Sequence, residues 1–287
     1  MSATEQPPVF FSALHLADRI WPEQPTVSFE ERVAAAASVG AVGTGVNSYE
    51  LTALLATRTH ADLRAVAEHH GLPIGEVELA LGWYVSGDDL GFGTEAAVFD
   101  HAERLGATRV KTVANIIPPA ESPTPEQAVE RFAALCDRAA ERGLTIGLEP
   151  VGLDPTFTHA DAAEVVRLAD RPNGGLVLDA WHVFRDPTGL STLEAVDGRH
   201  IVSVEICDAH AVPQGENIQD DCLNHRLLPG EGELDLVRFA RLLWAKGVRM
   251  PVSLEVLNTE LRTLSPKENA ERSVAALRAL VTRAAGQ

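Results

Sequence analysis

Apolar runs rich in β-branched residues alternate along this chain with longer segments whose apolar positions recur at helical spacing. The runs near 9–16, 41–46, 74–81, 109–114, 145–151, 176–180, 201–207 and 252–257 read as strands. The first helical segment opens at Ser28, with Glu31 three positions on as a capping box, and stops at Gly40. Further helices are predicted over about 61–70, 94–105, Thr124 to Gly143 with Pro125 in the first turn, 160–169, 192–196, 234–246 and 266–284. Strands apolar on both faces suit a parallel sheet covered by helices. Eight strand–helix pairs with no linker between them predict one α/β domain over 1–287, a single (β/α)8 TIM barrel. Its active site would lie at the C-terminal ends of the strands. A doubly wound open sheet is the other arrangement. The segment after the first strand, ALHLADRIWP, lacks the glycine-rich phosphate turn of such folds.

Composition narrows the setting. With 45% hydrophobic residues in 287, the chain can build a large core. It has no run of 18 apolar residues, so no membrane span is expected. Its first residues lack the basic stretch of a secretory leader. Cys136, Cys207 and Cys222 are odd in number and far apart, which suggests reduced thiols in a cytoplasm. A net charge of −17 without a Lys/Arg cluster argues against nucleic acid and anionic membrane as partners.

The strand ends carry the chemistry. Strand 5 ends GLEP, strand 6 VLDAWH, strand 7 VEICDA and strand 8 SLEV. By the period of two, if Leu148, Leu178, Val204 and Leu254 face the helices, then Glu149, Asp179, Glu205 and Glu255 face the barrel axis. Four buried carboxylates on adjacent strands repel one another, and a divalent cation removes the conflict. The all-oxygen set favours Mn²⁺ or Mg²⁺, with Co²⁺ or Zn²⁺ as alternatives. The plainer reading pairs each acid with an Arg or Lys, or leaves it solvated at the rim.

These residues resemble the xylose isomerase-like barrel superfamily, closest to its sugar phosphate isomerase/epimerase and sugar 3-epimerase branch. In that branch a strand 5 glutamate, a strand 6 aspartate, a strand 7 histidine or glutamine and a strand 8 glutamate bind one metal. Glu149, Asp179 and Glu255 match, as do His182, three residues after Asp179, and Arg226 in HRLLPGEGELDL. Strand 7 departs, since EICD puts Glu205 where relatives carry His. The resemblance implies Glu149 and Glu255 as the proton-transferring pair and as metal ligands. It makes His182 and Arg226 contacts to substrate oxygens. A metal-dependent isomerase or epimerase working through an enediolate follows. A dehydratase, or a lyase on oxidised glycosides, resembles the chain equally well. A non-catalytic sugar-binding or partner subunit is the reading from another class. Relatives are often dimers or tetramers, which leaves a homo-oligomer open.

Other residues have two readings each. Lys111 is a base of lowered pKa in the barrel, among the substrate contacts, or the partner of an acid. Trp83 and Trp181 form a wall around a sugar or aromatic aglycone, or pack in the core. His15 lines the pocket or is a hydrogen-bonded rim residue. Asp208 is expected to orient a ligand, His210 to be within reach of the metal, and Glu231 to face the pocket or merely sit in a turn. The loops after strands 1 to 3 hold Trp21, Tyr49, Trp83 and Tyr84 and would set specificity for a small sugar or glycoside.

Overall fold

A computed structural model describes residues 6–286 except 86–90, 115, 117–120, 152 and 154. Eight parallel strands close into a barrel in sequence order. They are β1 (Val9–Phe11), β2 (Gly43–Asn47), β3 (Ile74–Ala80), β4 (Arg109–Val113), β5 (Thr145–Glu149), β6 (Gly174–Asp179), β7 (Ile201–Ile206) and β8 (Val252–Leu254). Pairing of β1 with β8 closes the ring and rules out the open sheet.

The long helices are α1 (Phe29–Ser38), α3 (His60–His69), α4 (Glu95–Leu105), α5 (Pro125–Ala140), α6 (His159–Ala169), α10 (Leu236–Ala245) and α11 (Pro266–Gly286). Their starts follow the local chemistry foreseen. Ser28 and Glu31 form a reciprocal capping box on α1, and Thr124 with Gln127 does the same on α5 beside Pro125. Gly106 caps α4 at φ 78°, a left-handed position that suits glycine.

Three of the short helices, α2 (Ser48–Leu54), α7 (Ala180–Arg185) and α9 (Ile218–Asn224), are additions to the predicted pattern, and α8 (Gly189–Ala195) completes the set. Each addition is about two turns or less, too short to establish a period. All three lie in connections leaving the C-terminal side of the barrel, where active-site loops gather. The strands are shorter than the apolar runs implied. The backbone after Phe11, Glu149 and Leu254 leaves the ladder but continues the run.

The two faces of the strands differ in kind. Val77, Val110, Leu148, Leu178, Val204 and Leu254 join the apolar core with Phe99, Phe132 and Phe239 of the helices. Inside the barrel, Phe10 fills the floor. A Cβ at Gly43 or Gly75 would lie within 2.9 Å of its ring, so this packing requires both glycines. The Arg109 guanidinium sits over the same ring and pairs with Glu76. Above this floor the interior is lined by charged groups. No helix among the described residues is long and apolar enough to cross a membrane.

Candidate active site

Strand register brings the inward side chains together. Glu78 pairs with Lys111 across β3 and β4, and Asp179 with Glu205 across β6 and β7. Lys111 Nζ lies 2.9 and 3.0 Å from the two oxygens of Glu205 and 3.3 Å from Glu255 Oε1. It is also 3.1 Å from Glu78 and 3.7 Å from Glu149. Contacts from β4 to β7 and β8 are possible only across the barrel, which establishes that these carboxylates face the axis, as the alternation of the strands predicts.

A second cation holds the other side. Arg226, in the loop after α9, donates from Nη1 to Asp179 Oδ2 at 2.7 Å and to Glu255 Oε2 at 3.1 Å. Its Nε donates to the Cys222 carbonyl, and the guanidinium lies over the Trp181 ring at 5.5 Å. Asp179 has a structural duty as well. Its Oδ1 accepts from the Trp181 and His182 amides and so caps α7, the helix that turns His182 inward. His182 Nε2 reaches 3.5 Å from Arg226 Nη2 and 3.8 Å from Glu149 Oε1. Glu149 Oε1 is buried without a hydrogen-bond partner among the described residues.

Burial pushes the Glu149 carboxyl up to about 8, with Glu255 and Asp179 adding to the rise against Lys111. Glu78 is pushed up to about 7, again mainly by burial. Burial raises Asp179 too, and lifts Glu205 well above the carboxylate range with help from Glu255. Glu255 goes the other way. Burial opposes its charge, but Lys111 and Arg226 together outweigh burial and hold the carboxyl below its ordinary value. Burial and the Arg226 charge keep His182 neutral. Lys111 is held well above the usual amine range, because four carboxylates outweigh its own desolvation. The reading of Lys111 as a base of lowered pKa is therefore wrong, and the acid-paired reading holds.

The carboxylates open onto a cavity of about 120 Å³, room for a small molecule rather than a polymer. Glu78, Lys111, Glu149, His182, Arg226 and Glu255 line its polar side. Ile20, Trp21, Phe92, Val113, Leu223 and Leu257 line its apolar side.

Several expected residues stand elsewhere. Trp181 is fully buried behind His182, donates to Asp221 and packs with Cys207 and Leu228; it does not line the cavity. Trp83 is also core, donating to the Val113 carbonyl and packing edge-on to Phe132. His15 is buried between Ser273 and the Val256 amide. Asp208 accepts from the Gly230 and Leu234 amides and so shapes the turn at 229–233 instead of orienting a ligand. His210 lies half exposed beside Glu233, and Glu231 is exposed. Two residues escaped the sequence reading. Glu78 is a further cluster acid, signalled by the same alternation in GEVELA, and Phe92 follows a glycine in the loop before α4.

Oxygens of Glu149, Asp179, Glu205 and Glu255 lie within 4.8 Å of one another, close enough to share one ion. Their hard, anionic character and the unpartnered Glu149 oxygen suit a divalent cation.

The fold is a closed barrel with an acid-lined mouth, and comparison with known proteins gives the family. The model of the xylose isomerase-like TIM barrel family matches residues 33–280, and the chain belongs to that family. It is 33% identical over 176 residues to a 3-dehydroshikimate dehydratase of Pseudomonas aeruginosa, covering 60% of this chain and 27% of that protein. It is 31% identical over 145 residues to an inosose isomerase of Bacillus subtilis, covering 50% of this chain and 51% of that protein. The chain thus spans about half or less of the curated relatives it matches. The crystal structure of the IOLI protein with a bound zinc atom superposes with a TM-score of 0.79 at 21% identity, over 96% of this chain and 98% of that one. At that identity the likeness is one of fold.

Proposed function

We propose that the chain is a proton-transfer enzyme for a small polyhydroxylated carbonyl compound, an isomerase or epimerase working through an enediolate. The observation that carries this reading is a pair of carboxyls, Glu149 and Glu255, that face one cavity from unequal surroundings. Glu255 is bonded to both Lys111 and Arg226, which favours its ionised form, whereas Glu149 Oε1 has no hydrogen-bond partner among the described residues and burial favours its protonated form. One acid ready to take a proton beside one ready to give it is the division of labour that acid–base catalysis needs.

Glu255 removes the proton from carbon next to the carbonyl. Arg226 and neutral His182 stand at the same wall, where donors can hold the developing oxyanion. Glu149 returns a proton, to the opposite face of the same carbon in an epimerisation or to the neighbouring carbon in an isomerisation, where the hydroxyl proton of the enediol passes to the other oxygen. Glu149, Asp179, Glu205 and Glu255 would hold a divalent cation, Mn²⁺ or Mg²⁺ by their chemistry, which when bound polarises the carbonyl and acidifies the C–H.

A second reading is a dehydratase or lyase. The same Glu149 proton could go to a leaving hydroxyl or glycosidic oxygen β to the carbanion. The likeness to a dehydratase supports it over 60% of the chain. The apolar wall of Trp21, Phe92, Val113 and Leu223 favours a substrate with an apolar portion, such as a glycoside, over a bare phosphosugar. Among the described residues the only cations lining the cavity are Lys111 and Arg226, and carboxylates hold both.

Proton NMR in D₂O tests both readings on a panel of keto-sugars, inososes and 3-keto-glycosides. Deuterium entering beside the carbonyl with retention of all oxygens supports isomerisation. Loss of water or of an aglycone supports the lyase. Absence of exchange and of product across the panel, with and without Mn²⁺, would sink the proton-transfer reading.

A further inference from the structure

Lys111 is a buried lysine with an unusual set of neighbours. Its ammonium is 1% exposed and lies within 3.7 Å of carboxylates from β3, β5 and β7 and from just beyond β8. Three of these acids, Glu149, Glu205 and Glu255, are also members of the group whose oxygens lie within 4.8 Å of one another. Lys111 takes both oxygens of Glu205 and one oxygen of Glu255, while Arg226 takes the other. The oxygens that Glu205 and Glu255 would offer an ion are thus already held by fixed positive charges of this chain, whereas Glu149 Oε1 has no hydrogen-bond partner among the described residues.

We propose that Lys111 is the built-in counter-ion of the carboxylate cluster, and that a divalent cation is held there only by drawing Glu205 and Glu255 away from its ammonium. A dication and an ammonium sharing ligand oxygens repel each other strongly in a buried site. Lys111 and Arg226 thus partly neutralise the cluster without metal, and a metal ion binds in competition with the lysine. Lys111 acts as a positioning residue: it fixes Glu205 and Glu255 and sets how tightly the site takes an ion. The inference rests on the reading of these acids as a cation site.

The test is a Mn²⁺ titration of the metal-stripped full chain, with free Mn²⁺ read from its EPR signal. The parent is compared with Lys111→Met, which removes the charge, and Lys111→Arg, which keeps it. Lys111→Met is expected to bind one Mn²⁺ at least about tenfold more tightly than the parent, with Lys111→Arg close to the parent. A purely structural role for Lys111 predicts the reverse, because an uncompensated acid cluster would be disordered and bind worse. Equal or weaker Mn²⁺ binding by Lys111→Met overturns the competition while leaving the cation site standing, since the parent still binds. Absence of binding by every form up to about 10 mM overturns the competition and the cation site together. If Lys111→Met does not fold by circular dichroism, Lys111→Met with Glu205→Gln removes the ammonium together with the carboxyl group that it contacts through both oxygens. That pair is expected to bind at least as tightly as the parent although a ligand carboxylate is gone, and weaker binding overturns the proposal.

Discussion

The outward and inward faces of the same strands follow different rules. Outward, β5, β6 and β8 present Leu148, Leu178 and Leu254, all fully buried against helices. One residue further on, Glu149, Asp179 and Glu255 face the axis and are buried as well. The interior of a TM-type α/β barrel is ordinarily filled by bulky branched side chains. Here it is filled largely by Glu76, Glu78, Arg109, Lys111 and the strand-end acids, with Phe10 as the floor. Apolar burial on the outer face has to stabilise the fold, because a buried ion cluster contributes little net stability. The inner face can then be devoted to chemistry.

The sharpest way to break this contrast is to change neighbours on one strand. Glu149→Gln is expected to lower turnover by about a thousandfold or more, roughly 4 kcal/mol in the barrier, with the fold intact. The matching change in Glu255 should do the same. Steady-state kinetics on the substrate identified by NMR, beside a circular dichroism spectrum, checks both. An activity loss under tenfold would remove Glu149 from the proton path. Its neighbour should behave oppositely. Leu148→Ala is expected to lose about 2–5 kcal/mol of stability, measured by urea unfolding, while the folded fraction keeps its kcat. A large loss of kcat without a loss of stability would show that the outer face also serves the reaction.

The contrast also explains what the amino-acid sequence reveals. Period two in short apolar strands exposes Glu149, Asp179, Glu205 and Glu255, because each stands alone between apolar neighbours. Glu78 obeys the same rule, but GEVELA sits in the first half of the barrel, away from the acid-ended run of strands 5 to 8. The partners of Lys111 are not legible locally. They come from strands up to 144 positions away, and only closure of the barrel brings them together. The tryptophans mislead for a related reason. Trp83 and Trp181 follow strand ends and seem fit for a pocket wall, yet each turns outward to a polar partner, the Val113 carbonyl or Asp221. Trp21 and Phe92, from loops, provide the wall instead.

The inner face should also make stability depend on pH. Glu149 and Glu78 are raised to about 8 and about 7 from an ordinary 4.5. Between pH 4.5 and these values the folded chain holds protons that the unfolded chain has released. Their contribution is complete below about 4.5 and is lost as pH rises through 7 and 8. The slope is at most about 1.4 kcal/mol per pH unit for each proton. Tm of the metal-free chain should therefore fall from pH 5 to 8.5, and Glu78→Gln should flatten the part near 7. A Tm that is level or rises over that range would mean that these carboxyls are ionised in the folded chain.

The smallest effect lies where the two faces meet. Trp181 does not line the cavity, but its indole N–H donates to Asp221 at 2.9 Å and its ring backs both His182 and Arg226. Asp221 in turn accepts from Arg185, which holds α7 against α9. Trp181→Phe keeps most of the ring and removes the donor, so the expected loss is about 1 kcal/mol of stability. Because His182 and Arg226 shift only slightly, kcat should fall a few-fold with KM nearly unchanged. A rise in KM beyond tenfold, with stability unaltered, would mean that the indole itself meets the substrate, as its position after strand 6 first suggests. A stability loss with only a modest change in kcat would instead place Trp181 with the outer face: part of the structure that holds the charged interior in position.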